Sequence, residues 1–348
     1  MTRRVYLDYN ATAPVRAEAR AAMIAAIDVV GNPSSVHAEG RKARALLEKA
    51  RAQVTAALGA DGAEIVFTSG ATEAAALALA DRGLSCAAIE HDAVRAWSDD
   101  TLAVDNRGRV TVPNPEGATL QIANSETGIV QSLPEGLAVS DLTQGFGKLP
   151  FAFNWLGVEM GFVSAHKIGG PKGVGALVMR RGTDIAAQIR GGGQEMGRRA
   201  GTENLIAIAG FGAAAEAAAK DLADGVWNSV SEIRNILEQA LDAGASKTIL
   251  VGKDADRLPN TLCLATPGWK GETQVMQMDL AGFAISAGSA CSSGKLRASA
   301  VLGAMGFDAA TASGAIRVSL GPHNVEEDVL RFAEAWLKEY RRFAARAA

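Results

Sequence analysis

Cysteine is scarce in this chain of 348 residues, which holds only Cys86, Cys263 and Cys291. The number is odd, the spacings are wide and no two form a CxxC pair. That excludes a disulfide framework and a cysteine-based zinc site, and it predicts a reducing compartment, the cytoplasm. Long apolar runs are also missing. None approaches the roughly 18–20 residues that a bilayer span needs, and the opening Met1-Thr2-Arg3-Arg4 lacks the apolar core of a secretion signal. Neither sign of charge dominates, since 35 basic and 38 acidic side chains leave a net charge of −3. With the two signs interspersed, a surface that coats nucleic acid is disfavoured. Aromatic residues reach only 5%. What is present is ordinary for a globular protein: 48% hydrophobic and 21% charged residues, which rules out a disordered chain. The length suits two domains of about 100–200 residues each. The balance predicts an Ala- and Gly-rich α/β enzyme acting on small molecules.

Apolar periodicity gives a coarse map. Ala43, Leu46, Leu47, Ala50, Val54 and Ala57 recur at helical spacing, with Gly59 as the cap. Glu64–Phe67 reads as a buried strand and Ser69-Gly70-Ala71-Thr72 as a turn into an Ala-rich helix. Short apolar runs at 87–89, 120–123, 137–139, 161–163 and 175–179 suit a largely parallel, buried sheet. Residues 102–112 read as a hairpin turning near Gly108. Helices are expected over 204–221, 226–243 and 325–342, and strands near 248–251, 261–264, 283–287 and 315–320, so a smaller α+β region begins near residue 224. Only 124–136, with Pro134 inside it, separates two of the sheet runs, which leaves hardly any room for a crossover helix.

The chemistry concentrates at strand ends. In Ser164-Ala-His-Lys167, followed by Gly169-Gly-Pro-Lys-Gly-Val-Gly175, a lysine at the end of a buried strand suits a Schiff-base role. Burial and cationic neighbours lower a lysine pKa and free the amine for attack. The glycine loop is neither GxxxxGK[ST] nor GxGxxG, which argues against a nucleotide site. Asp141, in Asp141-Leu-Thr-Gln144, offers the carboxylate that keeps a pyridoxal ring nitrogen protonated. The turn before the Ala-rich helix, with the Thr72 hydroxyl, is a natural phosphate cradle. His91 could stack on a planar cofactor or move protons. Taken singly, each residue has a commoner structural role: a solvated lysine, a capping aspartate, a plain helix cap, a structural histidine. Their combination is what points to a site.

The chain resembles the cysteine desulfurases, pyridoxal-phosphate enzymes of the aspartate aminotransferase superfamily (fold type I). The similarity runs nearly end to end and includes Tyr6–Thr12, Gly31–His37, the segments above, Gly191–Asn204 and Gly288-Ser-Ala-Cys291-Ser-Ser-Gly294. It implies a large cofactor-binding domain over 14–224, with a mostly parallel sheet flanked by helices. Residues 1–13 and 225–348 would form a smaller α+β domain carrying the cysteine loop. By the same resemblance Lys167 binds pyridoxal 5'-phosphate covalently, His91 stacks on its ring, Asp141 pairs with the ring nitrogen, and Gln144 and Ser125 face the ring hydroxyl. Ala71, Thr72, Ser164 and His166 would hold the phosphate, with Thr202 reaching it from the partner subunit of a homodimer. Arg317 and Asn32 would bind the substrate, Arg317 by a bidentate fork on its α-carboxylate. No metal is implied.

Cys291 sets the expected reaction. It stands among glycines and serines in what reads as an exposed loop, as sulfur transfer requires, because the thiolate must reach the substrate and carry sulfur away. Cys86 and Cys263 fall inside apolar runs and read as buried and inert. The resemblance is to the NifS/IscS-like class with a long cysteine loop, and it implies conversion of L-cysteine to L-alanine with a persulfide on Cys291. The sulfur would pass to an acceptor or scaffold protein for iron–sulfur cluster assembly or thiolation. His91 would be the acid/base. The chain departs from the family in Ser125, where a second Asn is usual, in Ala74-Ala75-Ala76, and in the short stretches 91–125 and 131–141. Two alternatives stay open on the sequence. One is a selenocysteine lyase. The other is a degenerate paralogue acting as a partner-dependent or non-catalytic subunit, whose missing helix leaves sheet surface for another chain to cover.

Overall fold

The computed structural model describes residues 3–288 and 298–346, so Cys291 lies outside the described residues. After β1 (Val5–Tyr6) come α1 (Ala17–Ile27) and α2 (Ala38–Ala57). Ala43, Leu47, Ala50 and Val54 form the buried stripe of α2, and the His37 side chain caps it by accepting the Gly40 N–H. The chain leaves that helix through Gly59 at φ +59, where a Cβ would lie 2.5 Å from that of Ala152. Only glycine fits both the left-handed backbone and the contact.

The central sheet uses β2 (Glu64–Thr68), β3 (Ser85–Ala87), β4 (Asp99–Leu102), β5 (Leu137–Asp141), β6 (Val158–Ser164) and β7 (Gly175–Met179). Between them lie α3 (Ala71–Leu79) and α4 (Asp92–Arg95). Strands β2, β7, β6 and β5 pair in that order, and β3 pairs in parallel with β4. The run 118–122 joins the two groups through parallel bridges Ser85↔Ala118 and Thr119↔Val139. Since β7 is antiparallel to both β2 and β6 while β5 and β6 are parallel, β7 is the reversed strand of a mostly parallel sheet. Helices cover both faces. Leu47, Val54, Ile208 and Phe211 pack with Ile65, Phe67 and Val163, and α3 packs with Val66, Phe162 and Leu177 on the other side.

No helix forms over 124–136. The hairpin at 102–112 instead packs on this connection. Gln131 donates to Gly108 O at 2.6 Å and accepts the Val110 N–H at 3.1 Å. Leu120, Leu137 and Val139 are each 0% exposed. The expectation of sheet surface left bare here is therefore corrected: the chain's own hairpin and connection close it.

Helix α5 (Leu205–Ala223) leads to α6 (Val226–Gly244), β8 (Ile249–Val251), β9 (Thr261–Ala265), α7 (Gly271–Leu280), β10 (Phe283–Ala284) and β11 (Ser286–Ala287). Then come α8 (Ala300–Ala304), α9 (Ala309–Ser313), β12 (Ala315–Ser319) and α10 (Glu326–Arg346). An antiparallel sheet ordered β11-β12-β9-β8 backs onto α6 and α10, and β1 pairs in parallel with β10. Within this second core Trp336 is fully buried, stacks on Tyr340 at 5.5 Å and donates from Nε1 to Gln274 at 3.0 Å. Trp336→Ala should destabilise the protein by about 3–5 kcal/mol, seen as a lower urea midpoint in circular dichroism.

Candidate active site

Three strand ends converge on one cavity of about 590 Å³. The end of β5 brings Asp141 and Gln144, the end of β6 brings Ser164, His166 and Lys167, and the turn after β2 brings Ala71 and Thr72. His91, Ser125 and Arg317 also line it. Ten expected residues thus meet in one space. Asn32 and Thr202 do not line it. Asn32 is exposed and accepts the Ser34 N–H at 2.9 Å, and Thr202 is exposed on its own chain.

The cradle arises from two local features. The first helical bond of α3 runs from Ala74 N to Gly70 O, so the N–H groups of Ala71 and Thr72 have no partner within the helix. The turn can sit there because Gly175 on β7 lies against it: a Cβ at 175 would be 2.8 Å from Gly70 Cα and 2.6 Å from Val163 O. This gives the last glycine of Gly169–Gly175 a steric reason.

Lys167 Nζ donates to the carbonyls of Asn10 at 2.6 Å and Ala11 at 2.9 Å. A second amine lies behind it. Lys148 is 3% exposed and donates to Gln144 Oε1 at 2.8 Å and Asn10 Oδ1 at 3.4 Å. Burial, with the positive charges of Lys167 and Arg317, pushes Lys148 well below the usual lysine range. The Gln144 amide is fixed at both ends, since its Nε2 donates to Asn10 O at 3.1 Å.

Burial pushes the Asp141 carboxyl above the usual carboxylate range, against the Thr143 side-chain and backbone hydrogen bonds and the nearby charges of His91 and Lys167. The Thr143 N–H reaches Asp141 Oδ1 at 2.8 Å, and Thr143 lines the cavity. His91 caps α4 by accepting the Ala93 N–H on Nδ1 at 3.1 Å. Its neutral ring therefore carries the proton on Nε2. Arg317 is 4% exposed. It donates to Asp8 Oδ1 at 2.8 Å and to Ser125 O at 3.0 Å, and its Nε is buried without a partner.

Sequence reasoning missed Asn10, Thr12, Gln121, Thr143 and Lys172 in the wall. It also missed Asp8, which orients Arg317. Asn10 and Thr12 stand in the Tyr6–Thr12 motif, which was the available signal. Among the described residues no cluster of His, Cys, Asp or Glu could hold a metal ion. What the cavity offers is an amine, a buried carboxyl, an anion cradle and a guanidinium. That set can bind a phosphorylated aldehyde and an amino acid side by side.

The chain matches the aminotransferase class-V family over residues 5–99 and 100–332. It is 39% identical to a cysteine desulfurase of Cereibacter sphaeroides, over 95% of this chain and 94% of that protein. It is 36% identical to the cysteine desulfurase IscS of Dictyoglomus turgidum, over 94% and 92%. Among solved structures, a NifS-like protein from Rickettsia africae superposes with a TM-score of 0.89 at 31% identity, covering 97% of this chain and 99% of that one.

His166 yields a pH test. Burial and the charges of Lys167, Lys172 and Lys148 push its imidazole from 6.5 down to about 4. Above pH 6.5 the ring is neutral folded and unfolded, but between 6.5 and 4 only the unfolded chain takes up the proton. Stability therefore falls as pH drops through that window, and the contribution levels off below it. His166→Gln should flatten this part of the stability profile in urea unfolding run across the window. An unchanged slope would count against the buried, neutral ring.

Proposed function

The chain belongs to the aminotransferase class-V family and, within it, to the cysteine desulfurases. From that premise we propose that its cavity binds pyridoxal 5'-phosphate and L-cysteine, and that Cys291 carries the sulfur away as a persulfide. The observation that carries this reading is the meeting of Lys167, Asp141, the cradle of Ala71 and Thr72, and Arg317 in one cavity.

The residues present fit the cofactor. The unused N–H groups at the start of α3, with Ser164 and His166 opposite, suit a phosphate. Lys167 would link to the aldehyde, Asp141 would face the ring nitrogen, His91 would cover the ring face, and Gln144 would donate to the ring hydroxyl. Ser125 is too short to replace the usual Asn, so in this chain the hydroxyl contact falls on Gln144, whose orientation Lys148 fixes. The bound cofactor supplies the electron sink that makes loss of the Cα proton possible.

The chain's own residues do the rest. Arg317, braced by Asp8, holds the α-carboxylate. Lys167 Nζ moves the Cα proton. The Cys291 thiolate attacks the substrate sulfur, the C–S bond breaks, and the carbon fragment takes up protons to leave L-alanine. His91 Nε2 is the acid/base for the sulfur and its proton. The balance is closed: L-cysteine and the Cys291 thiol give L-alanine and the Cys291 persulfide, with no outside oxidant.

We extend the reading to the assembly. Residues 14–224 act as the cofactor domain, and 1–13 with 225–348 as the smaller domain that brings Arg317 and Cys291. A homodimer, with Thr202 reaching the partner's phosphate, is supported by the exposed Ile24, Ile27 and Val30 along and just after α1, at 59%, 61% and 79%. Cys86 and Cys263 are buried free thiols, which supports a cytoplasmic setting. Among the described residues no helix is long and apolar enough to cross a membrane. The sulfur acceptor is a protein of iron–sulfur cluster assembly or of thiolation.

The purified protein should show the visible absorbance of lysine-bound pyridoxal phosphate. With a thiol reductant it should form alanine and sulfide in equal amounts from L-cysteine. Lys167→Ala should lose the colour. Cys291→Ser should keep it and lose at least about a hundredfold in sulfide release, the scale expected when a nucleophile is removed. A colourless protein that makes no alanine would overturn the assignment.

A further inference from the structure

Three ion pairs strap the stretch 191–204 onto α2 and onto the strand and helix that build the cradle. Arg51 of α2 grips both carboxylate oxygens of Glu195 at 2.9 Å, and Glu195 Oε2 also accepts the Phe67 N–H of β2 at 2.8 Å. Arg198 pairs with Glu64, the first residue of β2. Arg199 pairs with Glu73, Nε to Oε1 at 2.8 Å and Nη2 to Oε2 at 3.3 Å. Glu195 and Met196 both hold a left-handed backbone, at φ 47 and 59, which non-glycine residues keep only where surrounding bonds enforce it.

Glu73 is the sensitive member. It lies in the first turn of α3, and its Oε2 accepts the Ser69 N–H at 2.8 Å. It thereby fixes the turn 69–72 from which the free N–H groups of Ala71 and Thr72 project. The same bond sets an ionised carboxylate beside the place meant for an anion. Burial alone would push that carboxyl up, but Arg199 and the Ser69 N–H outweigh it and hold it below the usual range. An unpaired carboxylate here would repel a phosphate dianion. Arg199 supplies the cancelling charge without lining the cavity itself.

We propose that Arg199 is a positioning residue for the cofactor phosphate: by pairing with Glu73 it lets a carboxylate shape the cradle without repelling the anion that the cradle binds. The inference rests on the reading that the cavity takes pyridoxal 5'-phosphate.

The test is equilibrium titration of the cofactor-stripped protein with pyridoxal 5'-phosphate and, separately, with pyridoxal, read by absorbance. Arg199→Gln should weaken pyridoxal 5'-phosphate binding by about tenfold, equal to about 1.4 kcal/mol, and pyridoxal binding by less than about twofold, because pyridoxal carries no phosphate charge for Glu73 to repel. Glu73→Gln in the Arg199→Gln background should restore phosphate-ligand affinity to within about threefold of the parent, since the repelling charge is then gone. Arg199→Lys, which keeps the charge and disturbs folding least, should stay within the same margin. An Arg199→Gln protein that binds both ligands as the parent does overturns the proposal. So does equal weakening of both ligands, or a double variant no better than Arg199→Gln. A parent that binds neither ligand overturns the functional reading itself, an outcome distinct from any of these.

Discussion

Asn10 is 1% exposed and uses every polar atom it has. Its carbonyl accepts Lys167 Nζ and Gln144 Nε2, and its N–H reaches Ser319 Oγ at 3.0 Å. Its side-chain nitrogen donates to Thr261 Oγ1 at 2.8 Å and Ser125 O at 3.2 Å, and its side-chain oxygen accepts Asn260 Nδ2 at 3.0 Å and Lys148 Nζ. One residue near the start of the chain thus ties the Lys167 amine to β9 and β12. Buried polar groups cost heavily when left unpaired, so a network this complete admits one arrangement and penalises neighbouring ones. The position of Lys167 relative to Arg317 depends on it, because Arg317 bonds the same Ser125 carbonyl.

Much of the fold was legible in the sequence where one physical signal dominated. The stripe Ala43, Leu47, Ala50 and Val54 announces α2 because its period matches a single buried face. The lack of room for a helix in 124–136 follows from chain length alone. Other features escaped for equally physical reasons. The run 120–123 forms no continuous strand pairing of its own; it is held by bridges and by bonds such as Ile122 N to Asp141 O. The expected strand at 283–287 divides into β10 and β11, which pair with different partners, β1 and β12. Pairing choice depends on residues far along the chain, from Ser286 with Arg317 to Val5 with Phe283, and local pattern cannot encode that.

The site was legible in the same uneven way. Lys167, Asp141 and Thr72 stand at strand ends or helix starts, where exposed chemistry accompanies a change of periodicity. Asp8, Asn10 and Thr143 carry no such mark. Asp8 matters because Arg317 and Ser286 converge on it at 2.8 Å each, a meeting across more than 270 residues of sequence. The desulfurase resemblance supplied residue types and left these supporting contacts unseen. The Tyr6–Thr12 motif contained Asp8 and Asn10 without showing what they hold, and Thr143 had no signal at all.

Two lysines lie within one hydrogen-bond network, and the structure distinguishes them. Lys148 is sealed at 3% exposure, spends its donors on Gln144 and Asn10, and has no place in the wall of the main cavity. Lys167 is half-buried, lines that cavity, and donates to two backbone carbonyls. A nucleophilic amine needs access, and of the two only Lys167 lines that cavity. Burial is the main cause of the low Lys148 pKa, and Lys148 does not line the cavity where Asp141 and Arg317 meet. Its effect is indirect: the charge of Lys167 adds to burial in holding Lys148 low, and Lys148 fixes the Gln144 amide that faces the cavity. Of the two lysines, one lines the cavity and the other holds the Gln144 amide that faces it.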